Sequence, residues 1–488
     1  MDSVDDAIVW FNDKYGYVLI VLLVGAGLYF GTRTAVVQLR MIPEMLRSLR
    51  ERPARTEGDN GPGAISAFRA FCISAASRVG TGNVAGVAVA ITVGGPGAVF
   101  WMWLLAVIGG ATAFVESTLG QLYKVRDGRD YRGGPAYYLS RGIKNRKAGL
   151  VMAFLFAVAI TFTYGFVFNA VQSNSISSAF ELAAGSDADW IPVAIGVALA
   201  VLAGLVIFGG VHRISGVSQI VVPVMAVLYV GIALFVIVTN LPHIPAVVAD
   251  IVESAFGIRQ FAGAGIWAAM MQGMRRGLFS NEAGMGSTPN AAATAAVSHP
   301  VKQGLVQTLG VYFDTLVVCS ATAFIILLSN PTFGSDVEGV QLTQTALQEH
   351  MGSWAAPVLA VILFFLAFSS IIGNYYYGET NIAFFTGRKS VLVVFRVLVI
   401  GFVFFGAIAE VSLVWNLADV FSSLMATINI LGLIAIGGVA VVLLRHYSQQ
   451  KSRGLDPVFH RDDVPGLSNV ECWDGTDPET VREPVDVR

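Results

Sequence analysis

Charge is scarce in this chain. Asp, Glu, Lys and Arg make up 13% of its 488 residues and hydrophobic ones 55%, whereas a soluble domain is roughly a quarter charged. With a mean hydropathy of +0.66, that deficit excludes a water-soluble globule and marks an integral membrane protein. Cysteine is rarer still. Cys72, Cys319 and Cys472 are odd in number and far apart, which excludes a disulfide framework and a zinc site. A net charge of −2 and a sequence pI near 6.3 leave no basic field for nucleic acid. Phosphate loops, catalytic triads and nucleotide fingerprints are absent as motifs. Glycine-rich GGPG (94–97) and GGP (133–135) sit between apolar runs, where they read as turns. The histidines are scattered through connections, so nothing points to an enzyme.

What the chain has instead is long apolar runs. They fall at about 15–39, 65–93, 97–123, 149–180, 190–210, 215–240, 261–287, 303–329, 353–386, 390–409 and 411–444. A helix rising ~1.5 Å per residue needs about 20 residues to cross ~30 Å of hydrocarbon, and the alternation of a β-barrel is missing. Eleven spanning helices are therefore expected. The opening MDSVDDAIVWFNDKYG is acidic, unlike the basic start of a cleaved signal, so the first run reads as a retained helix. Alternating the connections puts most of the 31 lysines and arginines on one face and only Lys14 and Arg259 on the other. The basic face is then cytoplasmic, with the N-terminus outside and the C-terminus inside a plasma (inner) membrane. The segment 241–260, with helically spaced apolar residues in AVVADIVESAF, reads as a short surface helix. The polar, aperiodic residues 446–488 read as a disordered cytoplasmic tail.

Two spans are spoiled by polar residues. The second carries Arg78 and then GTGN at 80–83. Gly80 and Gly82 each weaken a helix by roughly 1 kcal/mol relative to alanine, while Thr81 and Asn83 can bond the backbone groups that unwinding frees. The seventh has a 261–274 run too short to cross, completed by RRGLFSNEAGMGSTPNAAA (275–293), where Gly273 and Gly277 are expected to permit the break. Glycines elsewhere, such as Gly196 and Gly401, read as close-packing positions. The two spoiled spans lie five spans apart. An odd offset means entry from opposite sides, so 65–240 and 261–445 read as two five-helix units of inverted topology, with residues 1–40 an added helix. Paired interruptions in two halves point to a transporter binding site. Each break offers half-helix N–H groups to a carboxylate and freed carbonyls to a small cation. A zwitterionic amino acid with Na⁺ would use both.

SRVGTGNVAGVAVAITVGGPGAVFWMW (77–103) and RRGLFSNEAGMGSTPNAAA (275–293), with the FSSIIGNYYYGE stretch of the ninth span, resemble the signatures of the alanine or glycine:cation symporters, also called sodium:alanine symporters. The resemblance runs from about 15 to 445. It implies an all-α, leucine-transporter-type fold of ten core helices in an inverted repeat, coupling Na⁺ entry to uptake of a small neutral amino acid. It also implies that Gly80, Thr81, Gly82 and Asn83 hold the substrate carboxylate, and that Phe279, Ser280 and Asn281 meet the ammonium and side chain. The sodium ligands it implies are the carbonyls of Ala76, Val79 and Leu366 with the hydroxyls of Ser369 and Ser370. Hard oxygen donors suit such an ion, as they suit calcium, without separating Na⁺ from Li⁺ or H⁺. One position departs from the family: Asn374 stands where small-substrate members often have tryptophan. Either the pocket is larger and takes glutamine, or another side chain fills the gap and alanine or glycine remains the substrate.

Charges within the spans need partners or water, because each costs roughly 3 kcal/mol at mid-bilayer. Arg78, Glu116, Arg275, Arg276, Glu282, Asp314, Glu379 and Asp419 are such residues. Arg78 is expected to pair with Glu282 or with Glu116, as a structural pair or as a gate. Gln172, in the fourth span, is either a substrate contact or a helix-to-helix hydrogen bond. The leading reading is a Na⁺-coupled symporter working by alternating access. The alternatives are a channel without coupling, which would need a continuous polar pore, and a proton-coupled transporter.

Overall fold

A computed structural model describes residues 2–51, 64–128, 130–186, 188–258, 265–330 and 339–480. The start of the seventh run, 261–264, and Arg259 lie outside these residues. The chain opens with α1 (Asp2–Arg33), α2 (Val37–Arg40) and α3 (Ile42–Leu49). The second span is α4 (Ala67–Arg78), a π-helical turn at Gly82–Gly86, and α5 (Val87–Gly94). Next come α6 (Gly97–Leu122), a hairpin of β1 (Val125–Asp127) and β2 (Asp130–Arg132), and α7 (Pro135–Gly142). The fourth span joins α8 (Arg146–Phe162) to α9 (Phe168–Ala184) through a π-helical turn at Thr163–Val167. It is followed by α10 (Trp190–Ile207), α11 (Gly210–Thr239) and α12 (Ile244–Ala255).

The second unit begins with α13 (Ile266–Asn281) and the short α14 (Thr288–Ala292). The eighth span is α15 (Pro300–Tyr312), a π-helical stretch at Phe313–Cys319, and α16 (Ser320–Leu328). Then come α17 (Val340–Met351), α18 (Ala355–Phe385), α19 (Lys389–Ile408), α20 (Val411–Ile436) and α21 (Gly438–Ser452). Among the described residues nine helices are long and apolar enough to cross a membrane. The interrupted second and seventh runs are not among these nine.

α1 packs on α6 and α20 at the edge of the assembly. Helices of residues 65–240 pack against helices of residues 261–445: α5 on α13, α6 on α15, α9 on α18 and α10 on α19. The lipid-facing helices α10, α11 and α19 expose large apolar side chains such as Val201, Leu205, Val227 and Val394. By contrast almost everything from Arg276 to Thr308 is buried, so the second break lies in protein, where irregular backbone is tolerated at membrane depth.

The tail departs from expectation. Through residue 480 it is folded against the basic face, with Phe459, Cys472 and Trp473 buried. A handful of aromatic anchors, invisible to a composition argument, hold it there.

Candidate functional site

The first break is local chemistry. α4 ends at Arg78, and Val79 turns to an extended conformation. The Asn83 side-chain oxygen then accepts the Gly80 N–H at 2.9 Å, replacing a helical carbonyl. Gly80 is required sterically: a Cβ there would overlap the Ser370 hydroxyl and lie 2.8 Å from Gln172 Oε1. The second break falls later than Gly273 and Gly277, which lie inside α13 where it packs on α6. The helix stops at Asn281. Glu282 is left-handed (φ 59°), and Gly284 and Gly286 follow at φ 84° and 85°, a region that glycine enters without cost. Asn281 Oδ1 caps the turn by accepting the Ala283 N–H at 3.0 Å.

The breaks meet. Asn83 Nδ2 donates to Ser280 Oγ at 3.1 Å and to Asp314 Oδ1 at 2.7 Å, and Ser280 Oγ donates to Asp314 Oδ2 at 2.7 Å. Gly82 faces the Phe279 ring, where a Cβ would sit 3.0 Å from it. Gln172 closes the third side, its Oε1 accepting the Thr81 N–H at 3.0 Å. Thr81 Oγ1 is buried without a hydrogen-bond partner. The apolar wall is an aromatic row: Phe168, Phe279 and Trp415 follow one another with centroids 4.5 and 4.8 Å apart. Beyond Trp415 opens a cavity of about 210 Å³, lined also by Ala85, Asn174 and Val411.

At the other side of Gly80, oxygens converge. Ser370 Oγ is 2.7 Å from the Ala76 carbonyl and 3.2 Å from that of Leu366, to which Ser369 Oγ donates at 2.7 Å. Asn374, one turn on, lies 2.7 Å from Ser77 Oγ, which also reaches Glu282 Oε1 at 2.9 Å. Thus Ser77, Asn374 and Glu282 form one buried polar chain between the first break, the ninth span and the second break.

The membrane charges are arranged differently from the expected pairing. Among the described residues Arg78 forms no ion pair with Glu282 or Glu116. Its Nη1 donates to the Gln307 carbonyl at 3.3 Å, and Nε and Nη2 have no hydrogen-bond partner. Glu116 instead serves the second break: it accepts the N–H groups of Gly284 (3.3 Å) and Gly286 (3.1 Å) and the amide of Asn429 (2.8 Å). Glu282 accepts from Ser287 at 2.6 Å. Ion pairs form instead between Arg276 and Asp419, with the Arg276 guanidinium 4.8 Å above the Trp415 ring, between Glu379 and Arg396 at 3.4 Å, and between Arg275 and Asp13 at 3.8 Å. Phe168, Trp415 and the pairing of Arg276 with Asp419 were missed in the sequence. A helical-face signal existed, since Phe168 is four residues before Gln172 and Trp415 four before Asp419.

Two interrupted helices facing each other inside a helical membrane protein define a transporter built on half-helix termini. The chain belongs to the sodium:alanine symporter family, whose model matches residues 1–461. It is 50% identical over 462 residues to the "Probable sodium/glutamine symporter GlnT" of Bacillus subtilis (strain 168), covering 95% of this chain and 94% of that one. It is also 50% identical to the amino-acid carrier protein AlsT of the same organism (93% and 95% covered). The sodium/alanine symporter AgcS of Methanococcus maripaludis is 35% identical over 88% of this chain and 93% of its own. A solved structure of Mhp1, a nucleobase-cation-symport-1 family transporter in a closed conformation with bromovinylhydantoin bound, aligns with a TM-score of 0.46 at 13% identity over 82% of each chain.

Proposed function

We propose that the protein is a secondary symporter that imports a neutral amino acid together with Na⁺ across the plasma membrane, its basic face cytoplasmic. The observation that carries this reading is the meeting of the two breaks, with Asn83 of one bonded to Ser280 of the other. The substrate carboxylate docks at the Gly80–Asn83 segment, where it takes the Thr81 N–H in place of the Gln172 oxygen. Phe279, Ser280 and Asn281 face the ammonium and side chain. Na⁺ sits where Ser370 approaches the Ala76 and Leu366 carbonyls, with Ser369 and the Val79 carbonyl completing the shell. Such an ion screens the repulsion between those oxygens and locks α18 to the first break. The aromatic row ending at Trp415 shuts the site from the cavity beyond, and rocking of one unit against the other exposes it to the opposite face.

For the substrate we favour alanine or glycine, with glutamine admitted by the polar Asn374–Ser77 pair in place of a bulky ring. Asp314 supports a second reading in which a proton accompanies or replaces Na⁺: its carboxylate is fully buried, touches both breaks and has no ion-pair partner among the described residues. Radiolabelled alanine, glycine and glutamine uptake into proteoliposomes, driven by a Na⁺ gradient or by a pH gradient alone, tests both. Uptake of none of the three under either gradient refutes the assignment, and uptake under the pH gradient alone selects the second reading.

A further inference from the structure

The folded tail crosses the seam between the two units on the basic face. On that seam Gln121, closing α6 of the first unit, donates its amide to the carbonyls of Ala292 and Ala295, which follow the second break. Trp473 of the tail donates its indole N–H to the Gln121 carbonyl at 3.1 Å. Lys124, nearly fully buried, lies 3.7 Å from the Tyr131 ring centroid and 4.5 Å from that of Trp473. Arg126 pairs with Asp474 and Asp477 at 3.0 and 3.2 Å. Those contacts hold the first unit. Earlier in the tail, the Phe459 N–H donates to the Ser298 carbonyl at 2.9 Å, Ser298 Oγ to the Pro457 carbonyl at 2.7 Å, and Lys302 pairs with Asp456 at 3.2 Å. Those hold the second unit.

We propose that residues 456–477 form an autoinhibitory strap that ties the two units together on the basic face and must undock before the site can open there. Opening toward that face separates the segment after the second break from the end of α6, and a chain bonded to both resists the separation. The family match ends at residue 461, ahead of Trp473, Asp474 and Asp477. The ion pairs are partly exposed, Arg126 by 35%, so salt on that face weakens them. The strap is thus releasable, and the ionic strength of the compartment it faces sets how often it lets go.

The inference rests on the transport reading above, and its test separates the two. Wild-type protein, Trp473→Ala and a chain ending at Arg453 are assayed in proteoliposomes for amino-acid uptake under a fixed Na⁺ gradient, with potassium chloride varied on the basic side. Removal of the strap is expected to raise the maximal rate about fivefold, the worth of a few exposed pairs, with little change in half-saturation. Added salt should accelerate wild type and leave the truncated chain unaffected. Cys472, buried within the strap, supplies a native probe that needs no variant to fold. Its labelling by a membrane-impermeant maleimide, mapped by mass spectrometry, should rise when substrate and Na⁺ are supplied. Equal labelling at rest and during transport, or rates in folded variants no higher than wild type, overturns the strap. Absence of uptake by the wild type falls on the functional assignment instead. In that case salt-dependent Cys472 labelling still decides docking, and labelling indifferent to salt also overturns the strap.

Discussion

Gln172, on the fourth span, places its amide oxygen 3.0 Å from the backbone nitrogen of Thr81 in the first break and accepts that N–H. An amide oxygen occupies the position in which a substrate carboxylate would be most useful. Gln172→Ala is expected to free the N–H for the carboxylate and to lower half-saturation for uptake, by up to about tenfold, the equivalent of one buried hydrogen bond. Gln172→Glu installs a fixed anion beside the carboxylate position and should abolish transport. Concentration-dependent uptake distinguishes the two variants.

Ser370 bridges the ninth span to the Ala76 carbonyl. Ser370→Ala removes one of about five proposed sodium ligands, so the Na⁺ concentration for half-maximal uptake should rise about tenfold while amino-acid half-saturation at saturating Na⁺ stays nearly constant. A change confined to the amino-acid constant would place the ion elsewhere.

Asn374 is fully buried and bonded to Ser77. Asn374→Trp fills the space beside Ser77 with an indole. Glutamine uptake should fall at least tenfold relative to glycine uptake, since overpacking costs about 1–3 kcal/mol and falls on the larger solute. Competition of unlabelled amino acids against labelled glycine reads the ratio.

Arg276 and Asp419 pair in the apolar surroundings of Trp415. Arg276→Gln strands the carboxylate, at a cost of about 3–5 kcal/mol, and should lower the melting temperature in detergent. The exchange Arg276→Asp with Asp419→Arg should recover part of that loss. Without recovery, the contact is not an energetic pair.

His299 caps α15: its Nδ1 accepts the Val301 N–H at 3.2 Å, and Nε2 lies 3.2 Å from His446 Nδ1. Burial pushes its pKa well below the ordinary 6.5, and the charges of His446 and Lys302 add to the depression. Asp463 faces His446 at 3.8 Å, while Tyr447 and Phe459 cover the ring. Kept neutral, the folded chain binds no proton here, whereas the unfolded chain binds one below about 6.5. Stability is therefore fully present above that value and lost as pH falls below it. The melting temperature should drop by a few degrees between pH 7 and 5.5, and by less in His299→Gln, which retains an acceptor.

Much of the fold was legible because it is written locally. The apolar runs follow from the length a helix needs to cross hydrocarbon, and GTGN and FSNEAG disclose the breaks through residues that unwind helices wherever they occur. α12 (Ile244–Ala255) follows the spacing of AVVADIVESAF. The exact place of the second break was less legible. Gly273 and Gly277 suggested it, but glycine inside a helix serves close packing equally well, and here α6 takes that contact; the break needed the left-handed run at Glu282, Gly284 and Gly286.

The sequence by itself therefore determined the membrane class, the two interrupted helices and the residue types that line them, because hydropathy and helix-breaking are properties of neighbours in the chain. Tertiary structure alone decided the partners. Arg78 meets Gln307 rather than Glu282, Glu116 holds the backbone of the second break, Arg276 meets Asp419, and Trp473 docks on Gln121. A buried polar group bonds whatever the rotation of a distant helix brings within 3 Å. That rotation is fixed by packing summed over the whole bundle, which no local stretch records.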